Sequence, residues 1–140
     1  MPEYNFSETE KSYLAGIIDG EGCVAVSKFH QKDTNCTIYI LKLEIASVDR
    51  ELIDWILEKR QAIVSVSKTL RPCYHILWQN DKAKEILELT KEYLVIKKAR
   101  AEFILKEYPK KGSTNPEKRN FCHKIMSDFN QRRIKCAPNL

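Results

Sequence analysis

The sequence predicts an α+β fold in which two antiparallel hairpins alternate with helices, and three observations carry that expectation. The hydrophobic period switches between about 3.6 and 2 along the chain, in the order αββαββα with further helices after it. Turn-forming residues cluster between the period-2 runs, at "QKDTN" (31–35) and at Arg71-Pro72. No internal repeat or low-complexity tract interrupts the 140 residues, so 1–140 reads as one domain with a core over about 7–108 and a basic helical extension over about 109–140.

Each element has a local reason. Ser7 with Glu10 three residues later is a capping box, so a helix starts near residue 7 and runs to about Gly20 with Tyr13, Leu14, Ile17 and Ile18 apolar. Residues 23–30 and 37–47 follow as strands, the second alternating Tyr39, Leu41, Leu43 and Ile45 against Ile38, Ile40, Lys42 and Glu44. Asp49 is the expected N-cap of a helix through about Glu58. A second hairpin is expected from "AIVSVSKTL" and "CYHILWQ". Asn80 or Asp81 then caps a helix carrying Ile86, Leu87, Leu89 and Leu94, "IKKARAEFILKEY" forms another to about Tyr108, and Pro116 suits the first turn of the last.

Composition narrows the class. At 43% hydrophobic and 31% charged residues the chain reads as an ordinary globular protein. No apolar run approaches the roughly 18–20 residues that span a bilayer, and the acidic opening "MPEYNFSETEK" has no signal-peptide pattern, so no membrane partner and an intracellular location are expected. Five cysteines without a CxxC pair read as reduced, mostly buried thiols. Charge is uneven: residues 1–96 hold 12 Lys/Arg against 15 Asp/Glu, residues 97–140 hold 12 against 4. A basic tail half of this kind suits a polyanion.

The chemistry concentrates in "YLAGIIDGEGCVAV" (13–26). "GEGCVA" matches a dinucleotide-binding fingerprint in letters, but that fingerprint lies between a strand and a following helix, and here the order is inverted. Gly16 and Gly20 lie four apart with Ala15 beside them, a spacing that lets two helix backbones approach closely, either in another copy or within the same chain. Asp19 and Glu21 end the helix, at the negative end of its dipole, where carboxylates are disfavoured unless a positive charge is near. A hard divalent cation held by carboxylate and carbonyl oxygens would supply it. Two such helices side by side would bring two Glu21 carboxylates together, as two-metal phosphodiester chemistry needs.

"LAGIIDGEG" (14–22) closely resembles the signature of the LAGLIDADG homing endonucleases, and the element order over about residues 7–108 resembles that family's αββαββα core. The resemblance implies a site-specific double-strand DNA endonuclease using Mg²⁺, with Mn²⁺ as a substitute. It implies that Glu21, where relatives commonly carry Asp, binds the metal together with the Gly20 carbonyl. With one motif copy it implies a homodimer on a near-palindromic target, with Ala15, Gly16 and Asp19 at the interface. Lys97, with Lys98 as substitute, corresponds to a lysine near the scissile phosphate, and Ser47 to a polar residue ordering the water network. The location implied is an organelle, if organelle-encoded, or otherwise a bacterial or phage-host cytoplasm.

Base contacts are expected from the strand face opposite the helices. By alternation these are Ser27, Gln31, Lys42, Glu44, Ser65, Ser67, Arg71 and Tyr74, with Lys98 as a further DNA contact. Lys106 to Lys135 reads as sequence-independent phosphate contact. Two rival readings stand beside the nuclease. One is an RNA maturase bound to its intron RNA, or a non-catalytic DNA-binding regulator. The other is an interaction protein dimerising through the small-residue helix, which leaves the polar strand face and basic tail unexplained.

Overall fold

The computed structural model describes residues 6–110, 112–113 and 115–136. The elements are α1 (Glu8–Glu21), β1 (Gly22–Gln31), β2 (Cys36–Ser47), α2 (Arg50–Lys59), β3 (Ile63–Ser67), β4 (Cys73–Gln79), α3 (Asp81–Thr90), α4 (Lys98–Glu107) and α5 (Pro116–Asn130). The order matches the sequence reading. The strands form one antiparallel sheet in the order β1-β2-β4-β3.

The capping box forms as expected: the Ser7 hydroxyl accepts the Glu10 N–H and the Glu10 carboxylate accepts the Ser7 N–H. α1 then passes into β1 with no linker, because Gly22 is both the C-cap of the helix and the first residue of the strand. A Cβ at Gly22 would lie 2.7 Å from the Ile18 carbonyl oxygen, so only glycine allows this close turn.

Strand alternation sorts the sheet into two faces. Val24, Val26, Leu41, Leu43, Ile45, Ile76 and Trp78 are buried on one face beneath the helices, with Leu14, Ile18, Ile53, Ile56, Ile86, Leu87 and Ile104 packed against them. The pairs Val24↔Leu43 and Leu43↔Trp78 hold this face in register across three strands. The opposite face carries Ser27, Lys42, Glu44, Ser65 and His75 beside apolar Ile40 and Leu77.

Several local expectations are corrected. β3 ends at Ser67, short of the run drawn through Leu70, because Lys68 to Arg71 turn into β4 and Leu70 is fully exposed. Asn80 stands at the N-cap of α3 without capping it. Its side-chain oxygen instead accepts the Leu41 N–H and its own N–H donates to the Leu41 carbonyl, fastening α3 to β2. Leu94 is buried but lies beyond α3, which stops at Thr90. Of the cysteines only Cys122 is buried. Cys23, Cys36 and Cys136 are exposed and Cys73 is half-buried, and all five are free thiols.

α5 lies along the outer side of β1, an edge strand. The Asn130 amide donates to the Val24 carbonyl at 2.9 Å and His123 Nδ1–H donates to the Val26 carbonyl at 2.6 Å. Both side chains occupy backbone acceptors that an edge strand otherwise leaves open. No helix among the described residues is long and apolar enough to cross a membrane.

Candidate active site and nucleic-acid face

The question raised by acids at the end of α1 has a structural answer. Lys97 begins the approach to α4, and its ammonium donates to the Asp19 carbonyl at 2.7 Å. The Asp19 carboxylate accepts the backbone N–H groups of Val95 at 2.8 Å and Lys97 at 2.9 Å. The negative end of the α1 dipole is thus answered by a cation from a segment nearly eighty residues away. Asp19 thus has hydrogen-bond partners within its own chain and is half-buried.

Lys97 is half-buried, and burial, then the Arg100 cation, push its ammonium below the usual lysine range, with Asp19 opposing. Arg100 itself is lowered by burial and by Arg132. Its guanidinium donates to the carbonyls of Ile96 at 3.3 Å and Phe129 at 3.0 Å. Arg100 was missed in the sequence, although one turn after Lys97 on an expected helix it shares that lysine's face. Arg132, read as part of the tail, stands close enough to Arg100 to shift it. Lys98 is exposed at the start of α4 and makes no described contact with the Asp19 end of α1.

Glu21, the last residue of α1, is exposed, so its carboxylate is free to take an external ligand. Among the described residues no three His, Cys, Asp or Glu side chains gather as a metal cage. The donors at hand are hard oxygens, the Glu21 carboxylate and the Gly20 carbonyl. Oxygen donors of this kind are those a hard divalent cation takes. Ser47 ends β2 two residues beyond Ile45, the register partner of Gly22, so it lies at the end of the sheet where α1 enters. Its hydroxyl accepts the Asp49 N–H at 3.0 Å.

The small residues of α1 divide between two faces. Ala15 is fully buried in the chain's own core, which corrects its interface assignment. Gly16 and Gly20 are exposed, and a Cβ at either would meet nothing within 4 Å. Their smallness therefore serves no contact within the described chain. Tyr13, Val48, Val95 and Ile96, all more than half exposed, lie along or beside α1 in the elements that contact its ends. A cleft of about 1130 Å³ lined by Glu8, Lys11, Lys84, Glu88 and Tyr93 opens at the other end of α1, about 20 Å from Glu21 by helix rise, and plays no part here.

The open face of the sheet bears most of the expected base readers. The register sets Ser27 opposite Ile40, Lys42 between Ala25 and Gln79, and Glu44 between Cys23 and Leu77. Gln31 ends β1 on the same face, Ser65 and Ser67 continue it on β3, and Arg71 is exposed in the turn before β4. Tyr74 does not belong with them. It pairs with Ser47 and Val66 on the helix side, in line with Ile76 and Trp78, and the Arg50 guanidinium lies 6.0 Å from its ring centre. His75, unmarked in the sequence, takes the open face in its place. Its Nδ1 is 2.8 Å from Glu44 Oε1 and its Nε2 is 2.8 Å from Ser67 Oγ.

No family sequence model and no curated protein matches the chain. Solved structures do. The LAGLIDADG homing endonuclease I-LtrWI bound to target DNA is 27% identical at a TM-score of 0.70, over 95% of this chain and 48% of that one. I-CvuI, a homing endonuclease solved on DNA in the presence of Mg, is 16% identical at a TM-score of 0.61, over 86% of this chain and 96% of that one. The archaeal intron-encoded homing endonuclease I-Vdi141I, complexed with DNA, is 16% identical at a TM-score of 0.56, over 89% and 98%. The chain thus spans nearly all of I-CvuI and about half of I-LtrWI. The signature LAGIIDGEG, present once along α1, and the fold around it are similar to those of the LAGLIDADG homing endonucleases.

Proposed function

We propose that the protein is a site-specific double-strand DNA endonuclease that acts as a homodimer with Mg²⁺ on a near-palindromic target. The observation that carries this reading is the end of α1. Glu21 ends that helix with its carboxylate exposed next to Gly20, and the partly desolvated Lys97 ammonium is held on the Asp19 carbonyl two residues before it, on a helix whose glycine stripe faces outward. Two copies packed through Gly16 and Gly20 would set two such ends side by side, and a two-fold protein calls for a two-fold target.

Glu21 and Gly20 would hold the metal, which when bound supplies Lewis-acid charge at the scissile phosphate. Lys97 offers a fixed cation beside that phosphate, in a site where burial strengthens its field. The open sheet face supplies donors and acceptors for base edges, and the basic residues of α5 and its approach supply phosphate contacts. Solved relatives on DNA with Mg and with Ca support divalent-metal use.

The test is selection of bound duplexes from randomised DNA in Ca²⁺, followed by cleavage of the selected duplex in Mg²⁺ and sizing of the complex. A dimer cutting both strands of a near-palindromic duplex is the expected result. Specific binding without cutting in Mg²⁺ or Mn²⁺ would instead favour the non-catalytic regulator, and preferential binding of structured intron RNA the maturase.

A further inference from the structure

Glu44, His75 and Ser67 stand on three adjacent strands, β2, β4 and β3, and form one hydrogen-bonded chain across the open face of the sheet. The Glu44 carboxylate only accepts, so His75 Nδ1 carries a proton and donates it at 2.8 Å. His75 Nε2 is then the variable end. In the neutral ring it accepts the Ser67 O–H at 2.8 Å, so the Ser67 hydroxyl turned outward offers only lone pairs. In the charged ring Nε2–H donates to Ser67 Oγ, and the hydroxyl hydrogen is released toward whatever lies on the face. One proton on His75 thereby reverses the hydrogen-bonding sense of Ser67.

We propose that this relay is a single base-reading unit whose preference is set by the protonation state of His75: with the ring neutral, Ser67 accepts from an adenine or cytosine amino group, and with the ring charged it donates to a guanine or thymine acceptor. The proposal rests on the DNA-binding reading above. It goes beyond residue-by-residue readout, because Glu44 and Ser67, separated in sequence and by a strand in space, cease to be independent.

The surroundings suit the role. His75 pairs directly with Ala46 and Ser65, small neighbours that leave the relay accessible from the open side. The ionisable groups facing it are Glu44 and Lys42 on β2, Cys23 opposite Glu44 on β1, and Cys73 on β4, with Arg71 in the preceding turn. Lys42 flanks Glu44 along β2 on the same face.

The experiment is duplex selection in Ca²⁺ at about pH 5.5 and about pH 8, which bracket the ordinary histidine range. It is run on the wild type, His75→Gln, Ser67→Ala and, as a β3 control on the opposite face of the sheet, Val64→Thr. One position per half-site should change its preferred base class by about tenfold between the two pH values in the wild type and in Val64→Thr. That change should vanish in His75→Gln and Ser67→Ala. Specific binding with the same base profile at both pH values overturns the proposal and leaves the DNA-binding reading intact. Folded wild type that selects no duplex at either pH overturns both.

Discussion

Lys97 and Asp19 hold each other twice, ammonium to carbonyl at 2.7 Å and carboxylate to backbone N–H at 2.9 Å. The pair ties the segment between α3 and α4 to the end of α1, so the cation's place on the Asp19 carbonyl is set by backbone as well as by side chain. Lys97→Met should therefore lower the single-turnover cleavage rate by about 10²–10³ at saturating protein, while duplex affinity in Ca²⁺ falls by no more than one phosphate contact. Asp19→Ala should cost about 1–3 kcal/mol in urea unfolding, because two backbone donors lose their acceptor. A Lys97→Met enzyme that cuts normally once bound would reduce Lys97 to an anchor.

Glu21→Gln removes charge and almost no volume from an exposed position. Cleavage in Mg²⁺ should be abolished while the duplex gel shift in Ca²⁺ stays within a few-fold of wild type. Near-normal cutting by this variant would take the metal away from Glu21.

The glycines of the signature should separate cleanly under substitution. Gly22→Ala places a Cβ 2.7 Å from the Ile18 carbonyl, and should destabilise the isolated chain by at least about 1–3 kcal/mol. Gly16→Ala meets open space inside a helix and should leave chain stability equal or higher by about 0.5–1 kcal/mol. Gly16→Leu should abolish the dimer in light scattering at unchanged monomer fold. A dimer unaffected by leucine at this position would rule out the proposed interface.

Glu10 should report on acid stability. The Lys59 ammonium, first, and the Ser7 N–H hold its carboxyl down from 4.5 to about 2. A carboxyl lowered on folding stabilises the protein above its unfolded value, and that contribution fades as pH falls through the folded one. The stability difference between wild type and Glu10→Gln should thus be constant above about pH 4.5 and shrink toward zero near pH 2, followed by thermal melts across that range.

The helix starts, the hairpins and the signature were legible because their causes are local. Ser7 and Glu10 lie one turn apart, and Tyr39 to Ile45 alternate visibly. The contacts that assemble the site are not local. Asp19 meets Lys97 across 78 residues, and nothing near either residue announces the other. The misplaced Tyr74 has a different cause. "CYHILWQ" carries apolar groups on both faces, so period two alone does not say which face is inward, and one residue of slip exchanged Tyr74 for His75. Ala15 and Gly16 show the same limit on a helix, where adjacent small residues point 100° apart and only packing separates the buried one from the exposed one.

The two borders of the sheet are unequally guarded. On β1 the amide of Asn130 and the imidazole of His123 saturate outward carbonyls, whereas β3 carries exposed Ile63, Val64 and Val66 along the opposite border. α5 is thus more than a carrier of positive charge. It closes one of the two places where a stray strand from another chain could add itself to the sheet. A chain shortened before Pro116 would keep its signature helix and its core strands, yet expose a second adhesive margin next to Cys23 and Glu21. Protection of the sheet edge and access to the Glu21 end of α1 are therefore bound together in the single helix α5.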